Sequence, residues 1–504
     1  MTRLAAVSRK LWSGLIKERP PIGALARRPY YRWLVVGTVC IGAFMGQVDA
    51  SIAQLVLPVL EHDFRQPLSA ISWVAVAYTL TLAVLLPIFG RLADLYGRKM
   101  LYTTGFLLFI LGSGLCGAAS DLPFLVGFRV FQAVGAALLQ TNSIAIVVTA
   151  AGERYRGRAI GLQAAAQAVG LSAGPAIGGL LIHALSWRWV FWINVPFGLL
   201  GAVLGWLVLP PTAVPAGERH FDWAGALFLA PALTALILLI NQGQEWGALS
   251  AAFVCCALAP ALLLPLFVWW ERRQRAPLID PGLFRRPAFR AGNLAGLFSY
   301  AMLFGMFFLM PFVFERAYHE GPLAAGLRLV VIPAALGLLS PVSGALYDRA
   351  GPRRLTVTGM ALSLGAFVLL AFTMTGTARS LPPIMAALAL FGAGQGLFTP
   401  PNNSSVMAAA PAERVGQAGG ILNVTRSFGT SLGVAAAAAV LAWRLAVMTG
   451  RAGDTLHAPP PALLAAVRYV LAMFALFALA AGLLSWVRPH GQGDRAGRGE
   501  GPAP

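Results

Sequence analysis

Asp49 and Arg129 are charged residues that stand inside two long apolar runs of the sequence, 33–57 and 122–148. A carboxylate inside a membrane span costs several kcal/mol unless it is protonated, paired or hydrated. An arginine there keeps its charge and needs a carboxylate or a water-filled cavity. We therefore expect the two side chains to be coupled, directly or through water, and the pair is the strongest functional signal in the sequence. A structural hydrogen bond is the alternative role for Asp49.

A tight turn at 90–99 carries a second charged pattern, with Gly90, Asp94, Gly97 and Arg98 between two apolar runs. The Asp94 carboxylate can pair with Arg98, or it can accept hydrogen bonds from the N-terminal amides of a neighbouring helix. A salt-linked latch of this kind stabilises one of two conformations; the alternative is a solvated basic turn. The spacing recurs 254 residues later, at Gly344, Asp348 and Gly351, with Arg353 two residues beyond.

Small residues line one face of the run 159–184, which a proline interrupts. Glycines four residues apart let helices approach closely, and proline permits a bend. The pattern predicts a close-packed helix, and its functional interpretation is a bendable seam that prevents leakage while two halves of the molecule rock. The residues of this small-residue face are Gly170, Gly174, Pro175, Gly178 and Gly179.

Polar residues in the other apolar runs are candidates for lining a substrate cavity, although each one alone is more often part of an interhelical hydrogen bond. Arg426 has no acidic residue in its own run. It therefore either extends towards the membrane surface or acts in gating or substrate binding. The candidates are Gln132, Gln140, Asn142, Gln163, Gln167, Asn293, Tyr300, Gln395, Asn402 and Arg426.

The composition requires a membrane to position these residues. The chain has 504 residues, of which 58% are hydrophobic and only 11% are charged, whereas soluble domains carry about 25% charged residues. A soluble enzyme is therefore excluded. A membrane helix needs about 20 mostly apolar residues. Fourteen such runs are present: 33–57, 70–92, 101–119, 122–148, 159–184, 189–209, 222–241, 250–270, 291–314, 323–346, 355–375, 383–409, 418–442 and 463–487.

The basic residues predict the orientation of these runs. The net charge is +19, and a cytoplasmic N-terminus places 28 lysines and arginines inside and eight outside. Because positive residues are enriched in cytoplasmic loops, we expect both termini in the cytoplasm. Residues 1–32 lack a cleavable signal and form either a basic interfacial helix or a disordered tail. Residues 488–504 are expected to be disordered.

Two internal repeats indicate that the chain consists of two similar halves. The first is the repeat of the latch residues at an offset of 254. The second has an offset of 259 and pairs Gly161, Gly170 and Gly174 with Gly420, Gly429 and Gly433. Duplicated halves around a central site are common in secondary transporters. The expected organisation is a basic segment, a six-helix half, two inserted helices with a cytoplasmic linker, a second six-helix half and a tail, at 1–32, 33–209, 210–290, 291–487 and 488–504.

Other kinds of chemistry lack the residues that they need. Cys40, Cys116, Cys255 and Cys256 have neither a disulfide-framework spacing nor histidine partners, so no metal site is expected. None of the six histidines lies in the middle of an apolar run, which argues against a membrane-embedded enzyme. The sequence contains no phosphate-binding loop, so ATP is not the direct energy source. The basic clusters follow membrane topology, and nucleic acid is not expected as a partner.

These patterns together resemble the major facilitator superfamily, specifically its fourteen-helix branch of drug:proton antiporters. The resemblance extends over residues 33–487, and the two inserted helices agree with that branch. The matching segments are the first-helix motif 49–58, the signature loop 90–99, the fourth-helix proton-coupling motif 128–135, the fifth-helix antiporter motif 170–179 and the branch motif 187–198.

The resemblance implies an all-α integral membrane fold, with two six-helix halves and two inserted central helices. It also implies a transporter of the bacterial cytoplasmic (inner) membrane that exports amphipathic drugs or toxic organic compounds by alternating access. The proton-motive force would drive it through proton coupling at Asp49 and Arg129, without a cofactor. Its partners would be those small compounds, protons and membrane lipids, with a monomer as the expected state and a periplasmic adaptor left open. Three alternatives remain: an exporter of one endogenous lipid, siderophore or metabolite, a membrane-embedded enzyme, and a non-transporting sensor or scaffold.

Overall fold

The computed structural model describes residue 18 and residues 20–66, 68–71, 73–212, 220–246, 250–274, 277–411, 414–449 and 459–487. Within these ranges the chain forms helices and no strand. Most of the predicted N-terminal basic segment and the whole of the predicted tail lie outside the described residues. The all-α fold class expected from the sequence is confirmed for the part of the chain that is described.

Thirteen long helices account for nearly all of the described residues. They are α1 (Tyr31–Phe64), α2 (Trp73–Tyr96), α3 (Arg98–Gly117), α4 (Leu122–Ala184), α5 (Asn194–Val208), α6 (Trp223–Trp246), α7 (Ala251–Glu271), α8 (Pro287–Phe312), α9 (Val331–Ala350), α10 (Pro352–Thr373), α11 (Leu381–Ala408), α12 (Val415–Thr449) and α13 (Pro460–Val487). Shorter helical segments lie at Gly23–Ala26, Leu68–Ile71, Trp189–Trp192, Gly282–Arg285, Val313–Ala317, Pro322–Leu329 and Ala378–Ser380.

The helix α4 is too long to be a single membrane crossing. Its 63 residues would measure about 95 Å at the usual helical rise, about three times the hydrocarbon core of a bilayer. Gly152 interrupts it with φ 69° and ψ 179°, a conformation that glycine adopts without the steric penalty of a side chain. The two parts correspond to the predicted runs 122–148 and 159–184. Thirteen helices of the described chain are long and apolar enough to span. The break supports fourteen crossings, a number that stays a prediction.

Large apolar side chains cover the outside of the helices. Phe372 is 81% exposed, Leu338 73% and Leu227 71%. Contiguous apolar surface of this kind is unfavourable in water and matches the hydrocarbon core of a membrane. The protein is therefore a multi-pass membrane protein.

The backbones of the two halves touch at two places that the internal repeat relates. A Cβ atom at Gly90 on α2 would lie 2.9 Å from the carbonyl oxygen of Gly416 on α12. Gly344 on α9 approaches the backbone carbonyl oxygen of Gly157 on α4 more closely still. The offset of 254 relates Gly90 to Gly344, and the offset of 259 relates Gly157 to Gly416. The repeat in the sequence is therefore also a repeat of tertiary contacts. Small residues at these positions allow the halves to meet closely.

The two inserted helices lie outside the junction of the halves. Helix α7 packs mainly on α6, and α6 in turn contacts α2 from the first half and α12 from the second. Most of α7 faces outwards, with Leu258 and Leu262 more than half exposed. The insertion therefore adds a lipid-facing pair beside the two helices that carry the latch.

Candidate functional site

Asp49 and Arg129 form an ion pair in the interior of the first half. The distance between Arg129 Nη1 and Asp49 Oδ2 is 2.9 Å. The side chain of Arg129 is 1% exposed and that of Asp49 is 2% exposed, so water is nearly excluded from both. Burial of this degree makes the pair interdependent, since removing either partner leaves an uncompensated charge. The structure thus brings together the two charges that the sequence singled out.

Amide side chains complete the surroundings of the Asp49 carboxylate. Its Oδ1 atom accepts hydrogen bonds from Gln132 Nε2 at 3.0 Å and from Asn194 Nδ2 at 2.9 Å. Gln132 also accepts from Arg129 Nη1 at 2.7 Å and donates to Ser113 Oγ at 2.7 Å. Gln132 was a cavity candidate, but the structure assigns it to this network. Asn194 was not a candidate; its place in the 187–198 motif was the only sequence signal.

A tyrosine on α2 lies against the same arginine. The Arg129 guanidinium carbon is 4.1 Å from the centroid of the Tyr78 ring, within the range of a cation–π contact. Arg129 Nε donates to the carbonyl oxygen of Val74 at 3.2 Å, one turn earlier on α2. The Tyr78 hydroxyl is buried and has no hydrogen-bond partner among the described residues. The ion pair therefore joins α1, α2, α4 and α5, and Tyr78 could not be found from spacing alone.

The Asp94 latch makes both kinds of contact that the sequence allowed. Asp94 Oδ1 is 3.1 Å from Arg98 Nη2 and accepts from the backbone amide of Gly416 at 3.0 Å. Asp94 Oδ2 accepts from the amide of Gln417 at 3.1 Å. These amides belong to the first turn of α12, where the helix dipole favours a negative charge. Gly97 has φ 103° and forms the turn. The latch therefore ties the end of α2 to the other half of the molecule.

The repeated latch is described only in part. The side chain of Asp348 lies outside the described residues. The Arg353 guanidinium carbon lies 4.3 Å from the centroid of the Trp486 ring, and Gly344 forms the close contact with Gly157 described above. The backbone contact of the repeat is thus present, and an ion pair at Asp348 stays a prediction.

The small-residue face of α4 packs inside the first half. A Cβ atom at Gly170 would lie 2.6 Å from the carbonyl oxygen of Phe44 on α1, and Gly174 lies against Ser51 on the same helix. Gly178 is buried, Gly179 is exposed, and the side chain of Pro175 lies outside the described residues. The predicted seam is therefore a contact of α4 with α1 rather than a contact between the halves.

This packing predicts a large difference between two equivalent substitutions on α4. Gly170→Ala places a methyl group against a backbone oxygen that cannot turn away, and overpacking of this kind costs about 1–3 kcal/mol. Gly179→Ala is the matched control, because nothing lies within 4 Å of its Cβ position. Thermal unfolding in detergent is expected to show a lower midpoint for Gly170→Ala and an unchanged or slightly higher one for Gly179→Ala. Equal midpoints would contradict the close contact.

A cavity lies between the two halves. It has a volume of about 20 Å³ and receives side chains from α4, α8, α11 and α12. Four of the candidates line it. Arg426 also donates to Gln140 Oε1, so Gln140 lies next to the cavity. Its lining residues are Ile144, Ile160, Gln163, Ala164, Gln167, Tyr300, Thr399, Asn403, Leu422, Asn423 and Arg426.

The remaining cavity candidates form hydrogen bonds within the protein. Asn142 Nδ2 donates to the carbonyl oxygen of Leu138 at 2.7 Å, and Asn293 accepts from Thr425 at 3.0 Å. Neither residue lines the cavity. The same holds for two further candidates: Gln395, which accepts from Ser299 Oγ at 2.5 Å, and Asn402, which donates to the carbonyl oxygen of Gly292 at 3.0 Å.

A second buried carboxylate, Glu271, stands at the end of α7. Its side chain is 1% exposed; Oε1 accepts from the amide of Leu278 at 3.2 Å, and Oε2 has no partner among the described residues. Asp222 lies beside it, and both carboxylates would meet a Cβ at Gly225. The sequence pattern did not indicate Glu271 as a functional residue, because it stands just beyond the end of the apolar run 250–270. No group of three or more His, Cys, Asp or Glu that could hold a metal ion occurs in the described ranges.

The chain matches a family model described as Major Facilitator Superfamily, over residues 39–434 and 293–504. It is 33% identical over 404 residues to the riboflavin transporter RibZ of Clostridioides difficile (strain 630), covering 80% of this chain and 87% of that protein. It is 33% identical over 405 residues to the multidrug resistance protein Stp of Mycobacterium tuberculosis (strain CDC 1551 / Oshkosh), covering 80% and 74%. The drug efflux pump JefA of the same strain is 31% identical over 434 residues, covering 86% and 84%.

Two solved structures share the fold. The human organic anion transporter MFSD10 has a TM-score of 0.64 at 15% identity, covering 91% of this chain and 100% of that chain. The proton:xylose symporter XylE, bound to 6-bromo-6-deoxy-D-glucose, has a TM-score of 0.63 at 14% identity, covering 92% and 97%. At these identities the similarity concerns the fold alone.

Proposed function

Because this chain belongs to the major facilitator superfamily, we propose that it is a proton-coupled exporter of amphipathic organic compounds, drugs among them, that works by alternating access. Membership of the family makes it a transporter of small molecules. The direction of transport, the coupled proton and the range of substrates belong to the proposal. Relatives named as a multidrug resistance protein and a drug efflux pump support the choice of substrate class.

The buried pair of Asp49 and Arg129 is the observation that carries the proposal. In the structure the Asp49 carboxylate accepts hydrogen bonds from Arg129, Gln132 and Asn194. Binding of a proton would remove the negative charge that holds the guanidinium, and the contacts among α1, α4 and α5 would change. A ligand shifts a two-state equilibrium only through such differential contacts. Protonation of Asp49 is therefore suited to select between two conformations of the transporter.

In the proposed cycle, Asp49 is deprotonated while the cavity accepts a compound from the cytoplasm. It is protonated from outside as the compound leaves. One proton entering the cell contributes about 2.3 kcal/mol per 100 mV of membrane potential and about 1.4 kcal/mol per pH unit. No cofactor takes part in this scheme.

The latch supplies the gate in this proposal. Asp94 holds the first turn of α12, and the backbones of Gly90 and Gly416 are in contact beside it. We assign this end of the bundle to the cytoplasm, since the basic residues of the latch loop follow the positive-inside pattern. The proposal then places both termini in the cytoplasm, and the chain acts as a monomer in the inner membrane of a bacterium.

Export or import of one specific metabolite is the second candidate function. The similarity to a protein named riboflavin transporter favours it. A cavity lined by both polar and apolar side chains suits one heterocyclic metabolite as well as a set of drugs, so a panel of compounds must decide.

Everted membrane vesicles test the proposed function directly. With a proton gradient held by respiration and reported by a pH-sensitive dye, we expect lipophilic organic compounds to collapse the gradient only in vesicles that contain the protein. Vesicles without it are the control. Collapse by riboflavin alone would favour the second candidate, and no response to any compound of a broad panel would contradict proton-coupled export.

A further inference from the structure

Arg426 presents a positive charge to the cavity between the halves. It is a lining residue of that cavity, and its Nη2 atom donates to Gln140 Oε1. Among the described residues, no carboxylate forms an ion pair with it. The guanidinium group has five donors, and the contact with Gln140 uses one nitrogen. Arg426 therefore has donors and a charge left for another partner.

Arg129, a second arginine inside the bundle, shows which partners compensate a buried guanidinium group. Arg129 is compensated by Asp49 at 2.9 Å and by Gln132 at 2.7 Å. Asp49 and Arg129 together carry no net charge when both are ionised, whereas Arg426 forms no ion pair with a carboxylate among the described residues. A charged residue inside a membrane protein faces a partner or a water-filled cavity, and an oppositely charged ligand would be such a partner.

The rest of the cavity wall is complementary to an amphipathic molecule. Ile144, Ile160 and Leu422 provide apolar surface. Gln163 is 2% exposed; its Nε2 atom donates to Ser143 Oγ at 3.0 Å, and its Oε1 atom has no partner in the described part of the chain. A buried acceptor of this kind is costly unless a donor reaches it. A hydroxyl or N–H group on the bound compound would supply that donor.

We infer that Arg426 binds an anionic group of the transported compound, a carboxylate or a group of similar charge, while Gln163 accepts a hydrogen bond from the same compound. The inference rests on the proposed function, whose substrate class it narrows to organic anions and zwitterions. Guanidinium groups bind carboxylates through two parallel hydrogen bonds that the opposite charges strengthen, and a neutral or cationic group does not supply that charge. In this conformation the cavity has a volume of about 20 Å³, room for about one water molecule, so the compound would bind when the two halves move apart.

Two dyes with the same xanthene ring test the inference. Fluorescein is an anion at pH 7.4 and rhodamine 123 is a cation. Fluorescence anisotropy of each dye would be measured with the purified full-length protein in detergent, without a proton gradient. We expect the wild type to bind fluorescein about 10-fold or more tightly than rhodamine 123, the size expected for one charge-assisted contact.

Variants of two arginines on α12 then show which residue binds the anionic group of the dye. Arg426→Gln is expected to weaken fluorescein binding about 10- to 100-fold and to leave rhodamine 123 binding unchanged or stronger. Arg426→Lys keeps the charge and should retain part of the affinity for fluorescein. Arg444→Gln is the matched control: its guanidinium carbon lies 3.6 Å from the centroid of the Tyr469 ring, away from the cavity. It should bind both dyes as the wild type does.

The inference is overturned if the wild type binds fluorescein no better than rhodamine 123, or if Arg426→Gln binds fluorescein normally. The comparison of dyes in the wild type needs no variant, so misfolding of Arg426→Gln would not hide the answer. Because binding is measured without a gradient, it is separate from the vesicle assay. A preference for the anion together with no gradient collapse would keep the anion site and reject proton-coupled export.

Discussion

Asp49→Asn is expected to abolish proton-driven transport and to leave binding of the transported compound measurable. Asparagine is close in size to aspartate and can still accept from Gln132 and Asn194, which now donate to Asp49 Oδ1 at 3.0 and 2.9 Å. It cannot bind and release a proton. The ion pair with Arg129 is lost as well, and removal of one partner from a buried pair costs about 3–5 kcal/mol. We therefore also expect a lower thermal midpoint.

The expected size of the transport effect follows from the driving force. One proton crossing 100 mV and one pH unit supplies about 3.7 kcal/mol, which sustains a concentration ratio of about 400-fold for an uncharged compound. In everted vesicles the variant should accumulate the compound to a ratio near one. Exchange of labelled for unlabelled compound, which needs no proton, should persist and shows that the variant is folded.

Asp63→Asn is a suitable control for the first prediction. It removes a carboxylate from the same helix, but Asp63 accepts from Trp187 Nε1 at 2.7 Å and does not touch the ion pair. Its transport should match that of the wild type. Equal accumulation by Asp49→Asn and the wild type would exclude Asp49 from proton coupling.

Asp94→Asn is expected to open the end of the bundle that the latch closes. The substitution removes the ion pair with Arg98 and leaves one acceptor oxygen where two now hold the amides of Gly416 and Gln417. Hydrogen bonds to a charged group contribute about 1.5–3 kcal/mol each. Loss of one such contact should raise the population of the open conformation about 10- to 100-fold.

Thiol labelling can measure this opening. With the native cysteines replaced by serine, a single cysteine at Ile144 would lie in the cavity, where the present side chain is 8% exposed. Everted vesicles expose the proposed cytoplasmic face to an impermeant maleimide, and Asp94→Asn should raise the labelling rate. Asp121→Asn is the control, because Asp121 caps α4 by accepting from Phe124 N at 3.0 Å and asparagine caps equally well. An unchanged labelling rate in Asp94→Asn would show that the latch does not hold this end closed.

The local features of the fold could be predicted from the sequence. Apolar runs of about 20 residues predict helices because a membrane leaves no water for unpaired backbone groups. The coupling of Asp49 with Arg129 could also be anticipated, since each charge is costly alone in such a run. Both contacts of Asp94 were predicted for a similar reason, because a carboxylate at a helix end has few favourable partners.

Tertiary structure decided which helices meet. The spacing of Gly170 and Gly174 predicts that both lie on one face of a helix. That this face packs against α1, within the first half, depends on the arrangement of the whole bundle. Gln132 was assigned to a cavity, while the structure uses it to hold Asp49. Asn194 reaches the same carboxylate from 145 residues away, a distance over which sequence periodicity carries no information.

A helical membrane protein, its repeated halves and the need of Asp49, Arg129 and Asp94 for partners could all be predicted from the sequence. The position of Arg426 could not: it faces a cavity next to Gln140 and Gln163 instead of extending to the membrane surface, and this is visible only in the folded chain. The free-energy cost of burying a charged side chain can be judged from the residue and from the apolar segment around it, so it can be read from the sequence. The groups that surround the side chain depend on how distant helices pack against each other, so they follow from contacts across the whole bundle.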